Sequence, residues 1–217
     1  MIIAGTGHRP AFCPCKYDES HEWFVSVRST LVECLQAFKD ETKYVISGVA
    51  IGWDTWLAEA ALEVGVPVHA YAPFRDQGKK WPPSSQKRYR NILDKADKVL
   101  YISEEYSNEA FLKRDRAMVD AATQVYALLN PVVEKGGTFY TVNYAKRNKT
   151  PVTSGRTNMD DAILNDGLDK VRTSLSRSTR HLPKSVFWPI TTFRYAVDDR
   201  LEDLEPALET LFERTSP

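Results

Sequence analysis

The stretch over residues 47–74, SGVAIGWDTWLAEAALEVGVPVHAYAPF, most constrains what this chain can fold into. An apolar, β-rich run, KYVIS, leads into it. The loop SGVAIGWD carries Ser47, Gly48 and Gly52 and puts Asp54 just ahead of a helical pattern. TWLAEAALEVG reads as a helix that Gly65 closes, and VPVHAYAPF reads as the next strand. Strand, glycine loop, helix and strand in that order suit phosphate binding. Small residues admit an anion close to the backbone, and a helix N-terminus offers unpaired N–H groups and a partial positive charge.

Two further turns of this kind are present. MIIAGTG is a short apolar strand that ends in Gly5, Thr6 and Gly7, with His8, Arg9 and Pro10 behind it. A strand that runs into glycines in this way opens many Rossmann-like domains. Arg9, just past the strand end, either clamps a phosphate with two parallel hydrogen bonds or pairs with a local carboxylate. Farther on, QVYALL at 124–129 reads as a strand. Gly136, Gly137 and Thr138 follow it and precede a helix over 139–147, so N–H donors and a hydroxyl again stand at a helix start.

The remaining segments supply the frame. Residues 20–40 form an amphipathic helix with Trp23, Val27, Leu31, Cys34, Leu35 and Phe38 on its buried stripe and Ser20 as its N-cap. Tyr44, Val45 and Ile46 form the second strand. Residues 75–95 hold seven Lys or Arg residues interleaved with Trp81 and Tyr89, either a ligand-contacting patch or a solvated loop and helix face. KVLYIS at 98–103 is a strand. A helix over 108–122 groups Phe111, Met118, Val119 and Ala122 and also carries Arg114 and Asp120, and Pro151 and Val152 begin a last strand. This alternation predicts an α/β fold, a Rossmann-like, mostly parallel sheet with helices on both faces. Ligands of such sheets bind beyond the carboxyl ends of the strands, where all three glycine turns should converge.

Composition narrows the partners. Lys+Arg and Asp+Glu both count 29, so net charge favours neither nucleic acid nor an anionic membrane as a partner. No apolar run approaches the roughly 18 residues that span a bilayer, and MIIAGTGHRP does not have the form of a signal peptide. Cys13, Cys15 and Cys34 do not make a disulfide framework, which suits a reducing cytoplasm. Cys13-Pro14-Cys15 near His8 and His21 has the wrong spacing for zinc, and no metal or cofactor is expected.

Six elements taken together resemble the SLOG superfamily, the Rossmann-like group of Lonely-Guy phosphoribohydrolases and the DNA-processing protein A fold, and within it the YspA/YpsA-like branch. They are TGHRP at 6–10, SGVAIGWD at 47–54, Pro73-Phe74 followed by Trp81, Ala96-Asp97, the R-x-x-x-M-V-D run at 114–120, and GGT at 136–138. The resemblance covers 1–153 and implies self-association and binding of nucleotides or nucleotide-derived ligands. The Lonely-Guy signature PGGxGTxxE is not matched. Here the loop is KGGTFYTVNY, with Thr141 three positions after Thr138 and Glu134 ahead of the loop. The general acid or base is therefore not identified, and whether the protein is an enzyme stays open.

The expected function is that of a nucleotide sensor or sequestering protein, likewise homo-oligomeric. Its ligand would be held by Gly5, Thr6, Gly7, His8, Arg9, Ser47, Gly48, Gly52, Asp54, Arg114, Gly136, Gly137 and Thr138. Asp54 either caps its helix or accepts a ribose hydroxyl. The alternatives are hydrolysis of a nucleotide, with Asp54, Glu59, Asp120 or Glu134 supplying acid and base, and single-stranded nucleic-acid binding through 75–95. Residues 154–217 read as a small α/β extension, packed on the core or on a partner subunit, with helical patterns over 162–175 and 201–212.

Overall fold

The computed structural model describes residues 1–130 and 133–156. They belong to one compact unit, Met1–Asn158. Six strands form a single, wholly parallel sheet: β1 (Ile2–Gly7), β2 (Tyr44–Ser47), β3 (Val68–Ala72), β4 (Lys98–Tyr101), β5 (Gln124–Leu129) and β6 (Val152–Arg156). The order across the sheet is β4-β3-β2-β1-β5-β6. The helices are α1 (Glu22–Ala37), α2 (Trp53–Val64), α3 (Pro83–Lys95), α4 (Asn108–Ala121) and α5 (Gly137–Arg147), with a single 3-10 turn at Pro10–Phe12. β6 pairs with β5 up to Arg156, so the core sheet continues past residue 153. The helices expected over 162–175 and 201–212 lie outside the described residues.

The strands are near-continuous apolar runs because a parallel sheet is covered on both faces. Side chains alternate between those faces along β1. Ala4 joins Ile46, Tyr71, Met118, Val119, Val125 and Ala145 in a core beneath α4 and α5. Gly5 and Gly7 point the other way, toward α2. A Cβ on Gly7 would lie 2.3 Å from the Cβ of Trp53, and one on Gly5 would lie 2.5 Å from Leu57 Cδ2. These two glycines let α2 approach the sheet.

α2 is buried almost all round, since α1 and α3 flank it and β1, β2 and β3 lie beneath it. Ala58, Ala60 and Ala61 keep it slim, and Trp56 meets Trp23 and Phe24 of α1 edge-on at 6.4 and 5.0 Å. Burying Leu57 completely contributes roughly 1.5–3 kcal/mol.

Two helix starts differ from expectation. α1 begins at Glu22, and His21 is its cap, its Nδ1 accepting from Trp23 N–H at 3.1 Å. Ser20 instead bonds Asp18 in the preceding turn. α2 begins at Trp53 behind Gly52, so Asp54 sits inside the first turn and does not cap it.

The chain steps outward from β1 to β4. α4 then carries it back across the sheet to β5, on the other side of β1. The reversal falls between β1 and β5, where open parallel sheets form a crevice at the strands' carboxyl ends.

Candidate functional site

The turn after β2 is held from every side. Ser47 Oγ donates to the Asp54 carbonyl at 2.7 Å and accepts from Val49 N–H at 3.0 Å. The Gly48 carbonyl accepts from Gln77 Nε2 at 3.1 Å and from Arg114 at 2.8 Å. The Ala50 carbonyl accepts from the Thr55 hydroxyl at 2.8 Å. This bracing holds Val49, a β-branched residue with no exposed surface, at φ 50°, a conformation that costs on the order of 1–3 kcal/mol. Gly48 has no room for a side chain, because a Cβ there would sit 1.7 Å from an Arg114 nitrogen.

Arg114 reaches this turn from α4. Its Nε donates to Asp115 at 2.8 Å, and its other arm lies 3.7 Å from Asp54 Oδ2. All three groups are buried, and one guanidinium serves two carboxylates. Burial raises the Asp54 pKa to about 6, with Arg114 opposing the shift and Asp115 adding to it. Asp115 is raised as well, again by burial first and against the pull of Arg114. The cleft floor therefore binds a proton more readily than ordinary carboxylates do.

In front of this triad a cleft of about 780 Å³ opens at the switch between β1 and β5. Its walls come from Gly5, Thr6, Gly7, His8 and Arg9 after β1, from Ala50, Ile51 and Asp54, and from Phe111, Arg114 and Asp115 of α4. Val133, Glu134, Lys135, Gly136, Gly137 and Thr138 close the side beyond β5, and Phe12 stands at the β1 side.

The start of α5 contrasts with the braced turn. Gly136, at φ 92°, is its N-cap and supplies no side chain to the first N–H groups. Among the described residues nothing lies within 4 Å of where a Gly136 Cβ would be. Arg9 and Lys135 are exposed, and no ion pair holds either among the described residues. The uncapped helix start thus shares the cleft with two cations that form no ion pair among the described residues, and all three carry positive charge or partial positive charge.

The three turns converge as their position after β1, β2 and β5 implied, but not in one role. Gly5, Thr6, Gly7, His8, Arg9, Asp54, Arg114, Gly136, Gly137 and Thr138 line the cleft. Ser47, Gly48 and Gly52 are not among its lining residues. Gly52 takes φ 105° against Pro10. Of the proposed acids, Glu59 pairs with Arg88, and Asp120 accepts from the Tyr144 hydroxyl at 2.9 Å. Neither lines the cleft, whereas Asp54 and Glu134 do. Asp115 and Phe12 escaped the sequence reading. Asp115 had a legible signal, since Phe111, Arg114, Asp115, Met118 and Val119 recur at helical spacing and two charges interrupt an apolar stripe. Phe12 had none, because it stands in a 3-10 turn too short to show any periodicity.

The basic stretch over 75–95 lies outside the cleft lining. Arg88 is held by Glu19 and Glu59, Lys79 by Asp76 at 3.0 Å, and Arg75 stacks over Tyr101 at 4.5 Å. Cys13 and Cys15 are buried free thiols, with burial pushing their pKa values up to about 12 and about 11, so neither is an activated nucleophile. Among the described residues no group of His, Cys, Asp and Glu is arranged to hold a metal ion, and no helix is long and apolar enough to cross a membrane.

Sheet order, switch-point cleft and glycine turns define a Rossmann-like α/β protein. The YspA SLOG family matches residues 3–161, and the chain belongs to that family. A UPF0398 protein of Bacillus licheniformis is 24% identical over 155 residues, covering 67% of this chain and 83% of that one. A UPF0398 protein of Brevibacillus brevis is 32% identical over 72 residues, 31% of this chain and 38% of its own. The fold is that of DNA processing protein A. The Streptococcus pneumoniae structure superposes with a TM-score of 0.53 at 19% identity, over 73% of this chain and 51% of the other, so the chain spans about half of that protein. The single-stranded-DNA-binding Helicobacter pylori protein gives a TM-score of 0.54 at 19% identity, over 77% of this chain and 73% of its own.

Proposed function

We propose that this protein binds a nucleotide or nucleotide-derived small molecule in the cleft between the β1 and β5 turns, as a sensor or sequestering protein. The observation that carries the reading is the uncapped start of α5 at Gly136, Gly137 and Thr138, which opens into a cleft at the sheet's switch point. Phosphate would rest on the α5 N–H groups, with Arg9 closing over it. Asp54 and Arg114 would form the floor on which a ribose rests.

The test is to denature the purified protein, identify released small molecules by mass spectrometry, and titrate the stripped protein with nucleoside phosphates. A phosphate-bearing compound and saturable binding are expected. Arg9→Gln should weaken that binding about tenfold, the worth of one charge-assisted hydrogen bond. Absence of binding across the nucleotide series would end the proposal. A short oligonucleotide is the control ligand, because the Helicobacter relative binds single-stranded DNA.

A second reading, hydrolysis of the bound nucleotide, is favoured by the raised pKa values of Asp54 and Asp115 at the cleft floor. Recovery of nucleotide intact after prolonged incubation excludes it.

A further inference from the structure

We propose that the cleft selects ligands by a flat aromatic base stacked on Phe12, so that Phe12 is its specificity-determining residue; this rests on the phosphate reading above. Most large apolar side chains of the described residues are buried, yet Phe12 is 49% exposed while lining the cleft. Its position is fixed by backbone bonds: Phe12 N–H donates to the Arg9 carbonyl at 2.9 Å, and its own carbonyl accepts from Asn130 Nδ2 at 3.1 Å. The ring is therefore presented from a turn tied to both β1 and β5, the two strands that flank the switch point. The other cleft aromatic, Phe111, is engaged edge-on with Phe74 at 5.6 Å and Tyr106 at 6.0 Å. Phe12 has only the tilted ring of His8, 5.7 Å away, as an aromatic neighbour among the described residues.

His8 supplies an independent indication. It is 6% exposed, lines the cleft, and its Nε2 is buried with no hydrogen-bond partner among the described residues. A buried polar atom without a partner is costly, and of the four such atoms among the described residues only His8 Nε2 belongs to a cleft-lining residue. Burial also holds the imidazole toward its neutral form, which carries one donor and one acceptor. A ligand with a π face and in-plane hydrogen-bonding atoms offers a stacking face to Phe12 and hydrogen-bonding edges to the His8 wall of the cleft. A nucleobase has both; a sugar phosphate or inorganic phosphate has no π face. Ile51 and Val133 add apolar wall, while the charged groups Arg9 and Lys135 stand ready for phosphate.

The experiment compares the four ribonucleoside 5′-monophosphates with ribose 5-phosphate by calorimetry, on the full chain and on Phe12→Ala, Phe12→Trp and His8→Ala. Stacking of one base predicts that at least one nucleotide binds about 5- to 100-fold tighter than ribose 5-phosphate. Phe12→Ala should erase that margin and leave ribose 5-phosphate affinity unchanged. Phe12→Trp should keep the margin, with quenching of the new indole on binding. His8→Ala should narrow the spread among the four bases. If ribose 5-phosphate binds as tightly as every nucleotide, or Phe12→Ala weakens both alike, the base site is refuted while the phosphate reading stands. If none of the five binds, the phosphate reading falls with it. Phe12 is half-exposed, so its variants are expected to fold, and an unchanged melting temperature verifies this.

Discussion

The turn after β2 and the turn after β5 are both strand–glycine–helix junctions on the same edge of one parallel sheet. Around the first, a side chain of the turn and side chains from two other segments fill the donors and acceptors: Ser47 within the turn, Gln77 beyond β3, Arg114 from α4. Its glycine at 48 has an arginine nitrogen where a side chain would be. Around the second, Gly136 has no described neighbour where a side chain would be, and the helix start has no side-chain cap among the described residues. The first turn is a keystone and the second is a socket. Glycine marks both, because close approach of a neighbouring side chain and an unusual φ make the same demand for a missing Cβ.

The comparison breaks most visibly at Arg114. Arg114→Ala leaves Asp54 and Asp115 buried without their counter-charge, a loss of about 3–5 kcal/mol. Thermal unfolding should show a fall in melting temperature of about 6–20 degrees. No such cost attends Arg9→Gln at the open turn, and equal destabilisation by the two changes would contradict the distinction.

Protonation sharpens it next. The pKa of Asp54 is raised from 3.8 to about 6 in the folded chain, so its favourable contribution is complete below the unfolded value and is lost as pH rises through the folded one. Two units correspond to about 3 kcal/mol. Denaturant titrations from pH 4 to 7 should show Asp54→Asn gaining stability relative to the parent protein as pH rises, with the difference levelling off above pH 7. A constant difference across that window would mean that the Asp54 carboxyl is not held as described.

The glycines give the smallest and most specific contrast. Gly48→Ala must displace Arg114 and should cost about 2–3 kcal/mol. Gly136→Ala meets no neighbour among the described residues and costs on the order of 1–3 kcal/mol, because φ 92° with ψ −177° is a conformation nearly confined to glycine. Combined with Arg114→Ala in chemical denaturation, Gly48→Ala should be non-additive and Gly136→Ala additive, and the reverse would dissolve the keystone and socket roles.

Much of this was legible in the chain. Apolar runs alternating with helical stripes determined six parallel strands, and the termini of β5 were readable to the residue because Gln124–Leu129 is bounded by polar turns. Helix starts were less legible. His21 caps α1 in place of Ser20, since a ring nitrogen serves as acceptor where propensity favours a hydroxyl. Asp54 has the residue type of a cap but forms an ion pair with Arg114 at 3.7 Å instead, because a buried guanidinium sixty positions away competes for it. Periodicity along one helix cannot report what arrives from another.

By itself, then, the sequence determined the layered α/β architecture, the edge of the sheet on which the glycine turns gather, and family membership, because these follow from local periodicity and short motifs. Tertiary structure decided which glycines face a ligand-sized space and which face a neighbour. It also brought Asp115 and Phe12 to the cleft and set Arg114 between two carboxylates on its floor. These are properties of distance between segments remote in the chain, set by the crossover of α4 back over the sheet and by the packing of α2 against β1. Chain spacing carries no measure of such distances.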